Sequence, residues 1–124
     1  MRVVIIPRFT ELRIIVNPGG ELPWQPPVSI MPWMYAPWPG AQNRGAIEIE
    51  VEGETLRALV TQVADKYKKA NVVFDPLDPV TGDIDLDYEV ILNDRDYEGL
   101  PNGLDTNLKD GDEVLIKMAW RWDG

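Results

Sequence analysis

Apolar residues alternate with acids through Ile47-Glu48-Ile49-Glu50-Val51-Glu52, which predicts a strand with one face buried and its carboxylates in water. Gly53 ends that pattern. Thr55 then stands as an N-cap before Leu56, Leu59, Val60, Val63, Ala64 and Tyr67. Their i, i+3, i+4, i+7 spacing predicts an amphipathic helix whose stripe faces a core. Lys66, Lys68 and Lys69 fall in its last turn, where cations suit the helix dipole. Period two returns at Leu86, Tyr88, Val90 and Leu92, a strand closed by Asn93-Asp94. It returns again at Val114, Ile116 and Met118, after a Lys109-Asp110-Gly111-Asp112 turn in which Gly supplies positive φ. Near the N-terminus, Val3 to Ile6 and Leu12 to Val16 are continuous apolar, β-branched runs. They read as one bent strand or two short ones, with Pro7 at a bend or an edge. Val72 to Phe74 reads as a short strand before turns at Asp75-Pro76, Asp78-Pro79 and Thr81-Gly82-Asp83.

This order predicts one α+β domain over residues 1–124, a mixed sheet packed on one main helix. A long loop insertion, residues 17–44, follows the first strand and carries seven prolines from Pro18 to Pro39. Proline excludes helix there and favours a polyproline II or irregular path. Loops of this length in a compact domain are usually functional. The tryptophans sharpen the point. Trp24, Trp33 and Trp38 lie in the insertion, Trp120 and Trp122 in a C-terminal tail of residues 119–124, and the periodic segments contain none. Large aromatics in irregular segments mark either a satellite core or a surface for a partner.

Composition narrows the chemistry. Cysteine and histidine are absent and Ser29 is the only serine, so thiolate sites, the commonest general base and an activated serine cannot be built. An enzyme is not expected, and no cofactor is implied. The net charge of -9 argues against nucleic acid or an anionic membrane as partner. Between Asp75 and Glu98 nine acids face Arg95 alone, a solvated acidic face. Asp75, Asp78, Asp83 and Asp85 fit no EF-hand spacing, so no metal site is expected. With neither a membrane-spanning run nor an export signal, the expected location is cytoplasmic.

Four segments resemble one known family. Gly103 to Ile116 (GLDTNLKDGDEVLI) looks like the closing motif of the ubiquitin-like sulfur carriers, the MoaD/ThiS family. Val90 to Arg95 resembles the strand and turn before that motif, Glu54 to Leu59 the helix start, and Arg8 to Arg13 the end of the first strand. The resemblance implies a β-grasp fold, in agreement with the element order read from periodicity. It also implies a flexible tail ending in Gly-Gly, whose carboxylate a partner enzyme adenylates with ATP before sulfur transfer makes a thiocarboxylate. On this sequence the reactive position falls at Gly124. The chain departs from the pattern at Asp123, where the second glycine would stand and where a carboxylate puts like charge beside the group to be activated.

Two roles follow. The first is a non-catalytic ubiquitin-like subunit or adaptor that binds a larger enzyme through Trp24, Trp33, Trp38, Trp120, Arg121 and Trp122. The alternative is a sulfur carrier for molybdenum or tungsten cofactor, or thiamine, synthesis, served by an activating enzyme. In a β-grasp domain the first and last strands run parallel and adjacent, so the insertion and the tail are expected to converge on one pole. The bland alternative for the insertion is a self-packed cap over one end of the sheet.

Overall fold

The computed structural model describes residues 1–7, 11–18, 47–71 and 74–118. The Trp/Pro-rich stretch, Val72-Val73 and the tail from Ala119 to Gly124 lie outside the described residues, and with them Trp24, Trp33, Trp38, Trp120, Arg121, Trp122 and Gly124.

The strands are β1 (Arg2–Pro7), β2 (Glu11–Val16), β3 (Ile47–Glu50), β4 (Tyr88–Leu92), β5 (Arg95–Asp96) and β6 (Glu113–Met118), with helix α1 (Leu56–Lys69) between β3 and β4. They form one sheet in the order β3-β1-β2-β6-β4-β5. The helix lies against one face of it, a β-grasp-like α+β architecture as the sequence predicts. Thr55 caps α1 as expected, its hydroxyl accepting from the Ala58 N–H at 3.1 Å. At the other end Asn71 takes a φ of 62°, the left-handed residue that stops a helix. Gly53 adopts a φ of 92°, and a Cβ built there would come within 3.2 Å of the Ala58 Cβ, so both backbone and space require glycine.

Leu56, Leu59, Val60, Val63 and Tyr67 enter one buried core with Val3, Ile5, Leu12, Ile14, Val90, Val114 and Ile116. The helix stripe and the inward positions of four strands therefore meet as their periods require. Tyr67 and Phe74 pack edge to face at 5.6 Å, and Phe74 and Tyr88 at 5.5 Å.

The sheet departs from expectation in its pairing. β1 and β2 are two strands of an antiparallel pair, Val3 opposite Val16 and Pro7 opposite Leu12. β2, not β1, then pairs with the last strand, Leu12 opposite Ile116. Each described ladder is antiparallel, so the sheet is not mixed as predicted. The first and last strands share a direction but are separated by β2. The physical reason lies in the second apolar run, which is long enough to form a strand of its own and takes the central position beside β6.

Leu86 is a second correction. It is 82% exposed and outside β4. The Asp85 carboxylate accepts from the Asp87 N–H at 2.9 Å, and the Asp85 carbonyl from the Tyr88 N–H at 3.0 Å. That turn lifts Leu86 away from the sheet before the strand begins.

Candidate functional site

Three of the segments that carry the family resemblance are bonded to one another. At the start of α1, the Leu56 N–H donates to the Thr106 carbonyl at 2.9 Å and the Leu108 N–H to the Glu54 carbonyl at 2.6 Å. Arg57 reinforces the junction, its Nε 3.1 Å from Asp105 Oδ1 and its Nη1 donating to the Gly82 carbonyl at 2.6 Å. At the other junction, Asn93 and Asp94 have φ of 49° and 68°, the pair of left-handed residues that a tight hairpin between β4 and β5 demands. The Asn93 side chain donates to Asp112 Oδ1 at 2.8 Å and accepts from the Glu113 N–H at 2.9 Å. Asp112 also accepts from the Lys109 N–H at 2.8 Å, closing the turn in which Gly111 has a φ of 86°. Each of these residues holds a turn. The segments that carry the resemblance thus hold the turns of the fold.

The fourth segment contributes a clamp. Arg13 pairs with Glu113, its Nη2 donating to Oε2 at 3.0 Å and its Nε lying 3.0 Å from Oε1 without hydrogen-bond geometry. This charge-assisted hydrogen bond ties β2 to β6. Asn17, whose φ is 41°, accepts from the Arg2 N–H and donates to Asp110 Oδ1, both at 2.8 Å. Sequence reasoning used Asn17 only as a stop signal. An Asn before Pro-Gly-Gly, able to adopt a left-handed φ and to bond sideways, was the available clue.

These contacts place the two ends of the sheet. One end holds Arg2, Asn17 and the Lys109–Asp112 turn. The other holds Pro7, Glu11, Tyr88 and Met118, since Glu11 lies opposite Lys117 and Tyr88 opposite Met118. The chain leaves β2 through Asn17-Pro18 at the first end and returns at Ile47, beside Ile5, travelling from the second end. It leaves β6 at the second end. The predicted convergence therefore fails for the start of the insertion, because β2 runs opposite to β6. Only its return shares an end with the tail.

β6 has partners on both sides, β2 along Glu113–Lys117 and β4 along Val114–Met118. The tail thus departs from a central, doubly paired strand. Around it lie opposed charges, Lys117 facing Glu11 on one neighbour and Glu89 on the other.

The acidic stretch is built of turns. Asp78 accepts from the Val80 N–H at 2.8 Å and Asp96 from the Glu98 N–H at 2.9 Å, as Asp85 does from Asp87. Among the described residues no three acids approach closely enough to hold a metal ion. Tyr88 and Tyr97 are held above the ordinary phenol range, first by burial and then by neighbouring carboxylates, among them Asp75 for Tyr88 and Glu98 for Tyr97. Burial alone pushes the Tyr67 hydroxyl up further. No described helix is long and apolar enough to cross a membrane.

No family model matches the chain, and no curated protein matches it. Among solved structures, the crystal structure of Mycobacterium tuberculosis CysO, an antigen, is similar to it. The two share 26% identity at a TM-score of 0.44, over 77% of this chain and 96% of that one.

Proposed function

We propose that this chain is a ubiquitin-like sulfur carrier in which an activating enzyme adenylates the carboxylate of Gly124 and sulfur transfer leaves a thiocarboxylate there. The observation that supports it is the placement of β6. The strand is paired on both sides, and its last described residue, Met118, lies at the end of the sheet opposite the Lys109–Asp112 turn. A carrier needs such a base, because the reactive end must reach into another protein while the domain stays folded. The residue inventory is consistent with that division of labour, since a chain without Cys or His leaves activation to its partner.

A second reading is favoured by the tail itself. Trp120, Arg121 and Trp122 are residue types enriched at the energetic centres of interfaces, and Asp123 replaces the expected glycine. On that reading the chain is a non-catalytic subunit docked on a larger enzyme by its tail. Intact-mass spectrometry of protein from its native host separates the two. Sulfur in place of oxygen adds about 16 Da at the C-terminus, and tandem fragmentation distinguishes it from methionine oxidation. Thiocarboxylate on Gly124 establishes the carrier. An unmodified terminus in protein co-purified with its activating enzyme and ATP sinks it.

A further inference from the structure

β3 is an edge strand, paired with β1 on one side only. Met1 and Val51 set the phase of its backbone by exchanging two bonds. The Val51 N–H donates to the Met1 carbonyl at 2.7 Å, and the N-terminal amine donates to the Val51 carbonyl at 2.8 Å. In an antiparallel ladder, residues bonded to the partner strand alternate with residues that are not. Ile47, Ile49 and Val51 therefore turn their backbone groups towards β1, and Glu48, Glu50 and Glu52 turn theirs outward.

One side chain of α1 takes up both outward groups of Glu52. Gln62 Oε1 accepts from the Glu52 N–H at 2.9 Å, and Gln62 Nε2 donates to the Glu52 carbonyl at 2.6 Å. The carboxamide stands in for the peptide unit of a neighbouring strand. The outward N–H and carbonyl groups of Glu48 and Glu50 have no partner among the described residues. Beside them a groove of about 480 Å³ runs between β3 and α1, with Ile49 on one wall and Gln62, Lys66 and Ala70 on the other.

We propose that β3 is a docking site for an extended segment of a partner protein, which adds an antiparallel strand along Glu48–Glu50 and sets a basic residue opposite each acid. Strand addition draws affinity from ladder bonds and specificity from alternate side chains. Here the ladder bonds put two partner residues directly opposite Glu48 and Glu50, on the face away from α1. Glu48 is bonded to Arg2 at 2.8 Å yet stays 52% exposed, and Glu50, 3.7 Å from the N-terminal amine, is 77% exposed. Opposite charges at facing positions stabilise a strand pair, and like charges destabilise it. The partner residue between the two turns to the other face, over half-buried Ile49 and into the groove, where an apolar side chain fits. The recognised pattern is therefore basic-apolar-basic. A second copy of this chain does not match it. Each antiparallel register that bonds two β3 edges sets Glu opposite Glu, and each chain carries a net charge of -9. The site is separate from the proposed carrier chemistry, because β1 and β2 lie between β3 and the strand that leads to the tail.

The test is amide exchange and peptide titration on the isotope-labelled full chain. In the free protein, the Glu48 and Glu50 amides should exchange about tenfold or more faster than the Ile49 amide, which is bonded to β1. Exchange as slow as that of Ile49 would show the edge already occupied and overturns the proposal. A short synthetic peptide alternating lysine and valine should shift and protect the Glu48 and Glu50 amides, and one alternating glutamate and valine should leave them unmoved. Methylating the lysine backbone nitrogens should weaken binding about tenfold or more through lost ladder bonds. In Glu48→Lys/Glu50→Lys, whose amide spectrum checks that it stays folded, the preference should reverse to the glutamate peptide. Binding that is indifferent to backbone methylation, or shifts confined to Asp75–Glu98, would mean that charge alone holds the peptide, and refutes strand addition.

Discussion

Asn93 donates its side-chain amide to the Asp112 carboxylate at 2.8 Å, joining the β4–β5 hairpin to the turn before β6. The same residue sits at a φ of 49°, so it serves as both a backbone corner and a strut. Asn93→Gly keeps the corner and removes the strut. It should cost roughly 1–2 kcal/mol in urea denaturation, the range for lost side-chain hydrogen bonds. Asn93→Ala removes both and should cost about 1 kcal/mol more, because Ala resists the left-handed region. Equal losses would show that the backbone conformation contributes nothing.

The helix stripe gives the second prediction. Leu59 is 0% exposed and shares a core with Val114 and Ile116. Leu59→Ala should destabilise by roughly 2–5 kcal/mol through lost burial and the cavity left behind. A loss within the surface range would mean that the helix does not hold the sheet.

How much of this fold was legible follows from its periods. The helix, its Thr55 cap and the strands ending at Leu92 and Met118 are visible because one face of each is buried and the other wet. The β1–β2–β6 arrangement was not visible, because continuous runs such as Val3-Val4-Ile5-Ile6 report burial without reporting neighbours. Those runs did carry an unused signal. A strand that is apolar at every position is buried on both faces, which Val4 and Ile6 show. Leu86 misled the reading because alternation alone cannot reveal that an Asp85 turn intervenes. Of the candidate site, Trp24, Trp33, Trp38, Trp120, Arg121, Trp122 and Gly124 were named from sequence alone and lie outside the described residues.

Tyr67 yields a pH prediction. Burial raises its pKa in the folded state above the unfolded value near 10, so the unfolded chain releases the proton first. Its contribution to stability is complete below the unfolded pKa, and stability should fall as pH rises beyond it. Tyr67→Phe should fall less steeply above about pH 10 than the parent chain, measured by urea denaturation across alkaline pH. Parallel slopes would place the alkaline sensitivity elsewhere, with Tyr88 and Tyr97 the next candidates.

The last prediction concerns the tail, where the two functional readings differ most. If Gly124 carries sulfur, deleting it moves the terminal carboxylate from glycine to Asp123, out of the reactive position, while leaving the domain untouched, because β6 pairs only as far as Met118. ATP-dependent transfer should disappear, and the complex with the activating enzyme should persist with little change in affinity. If instead the tail docks by its aromatics, deleting Gly124 should be nearly silent, and Trp120→Ala or Trp122→Ala should weaken the complex by roughly 2 kcal/mol or more, as for buried interface anchors. Calorimetry on the same four proteins, paired with a transfer assay, reads both quantities. Loss of transfer with binding retained on Gly124 deletion supports the carrier. Silence on that deletion, with binding lost in the tryptophan variants, establishes the docking subunit in its place.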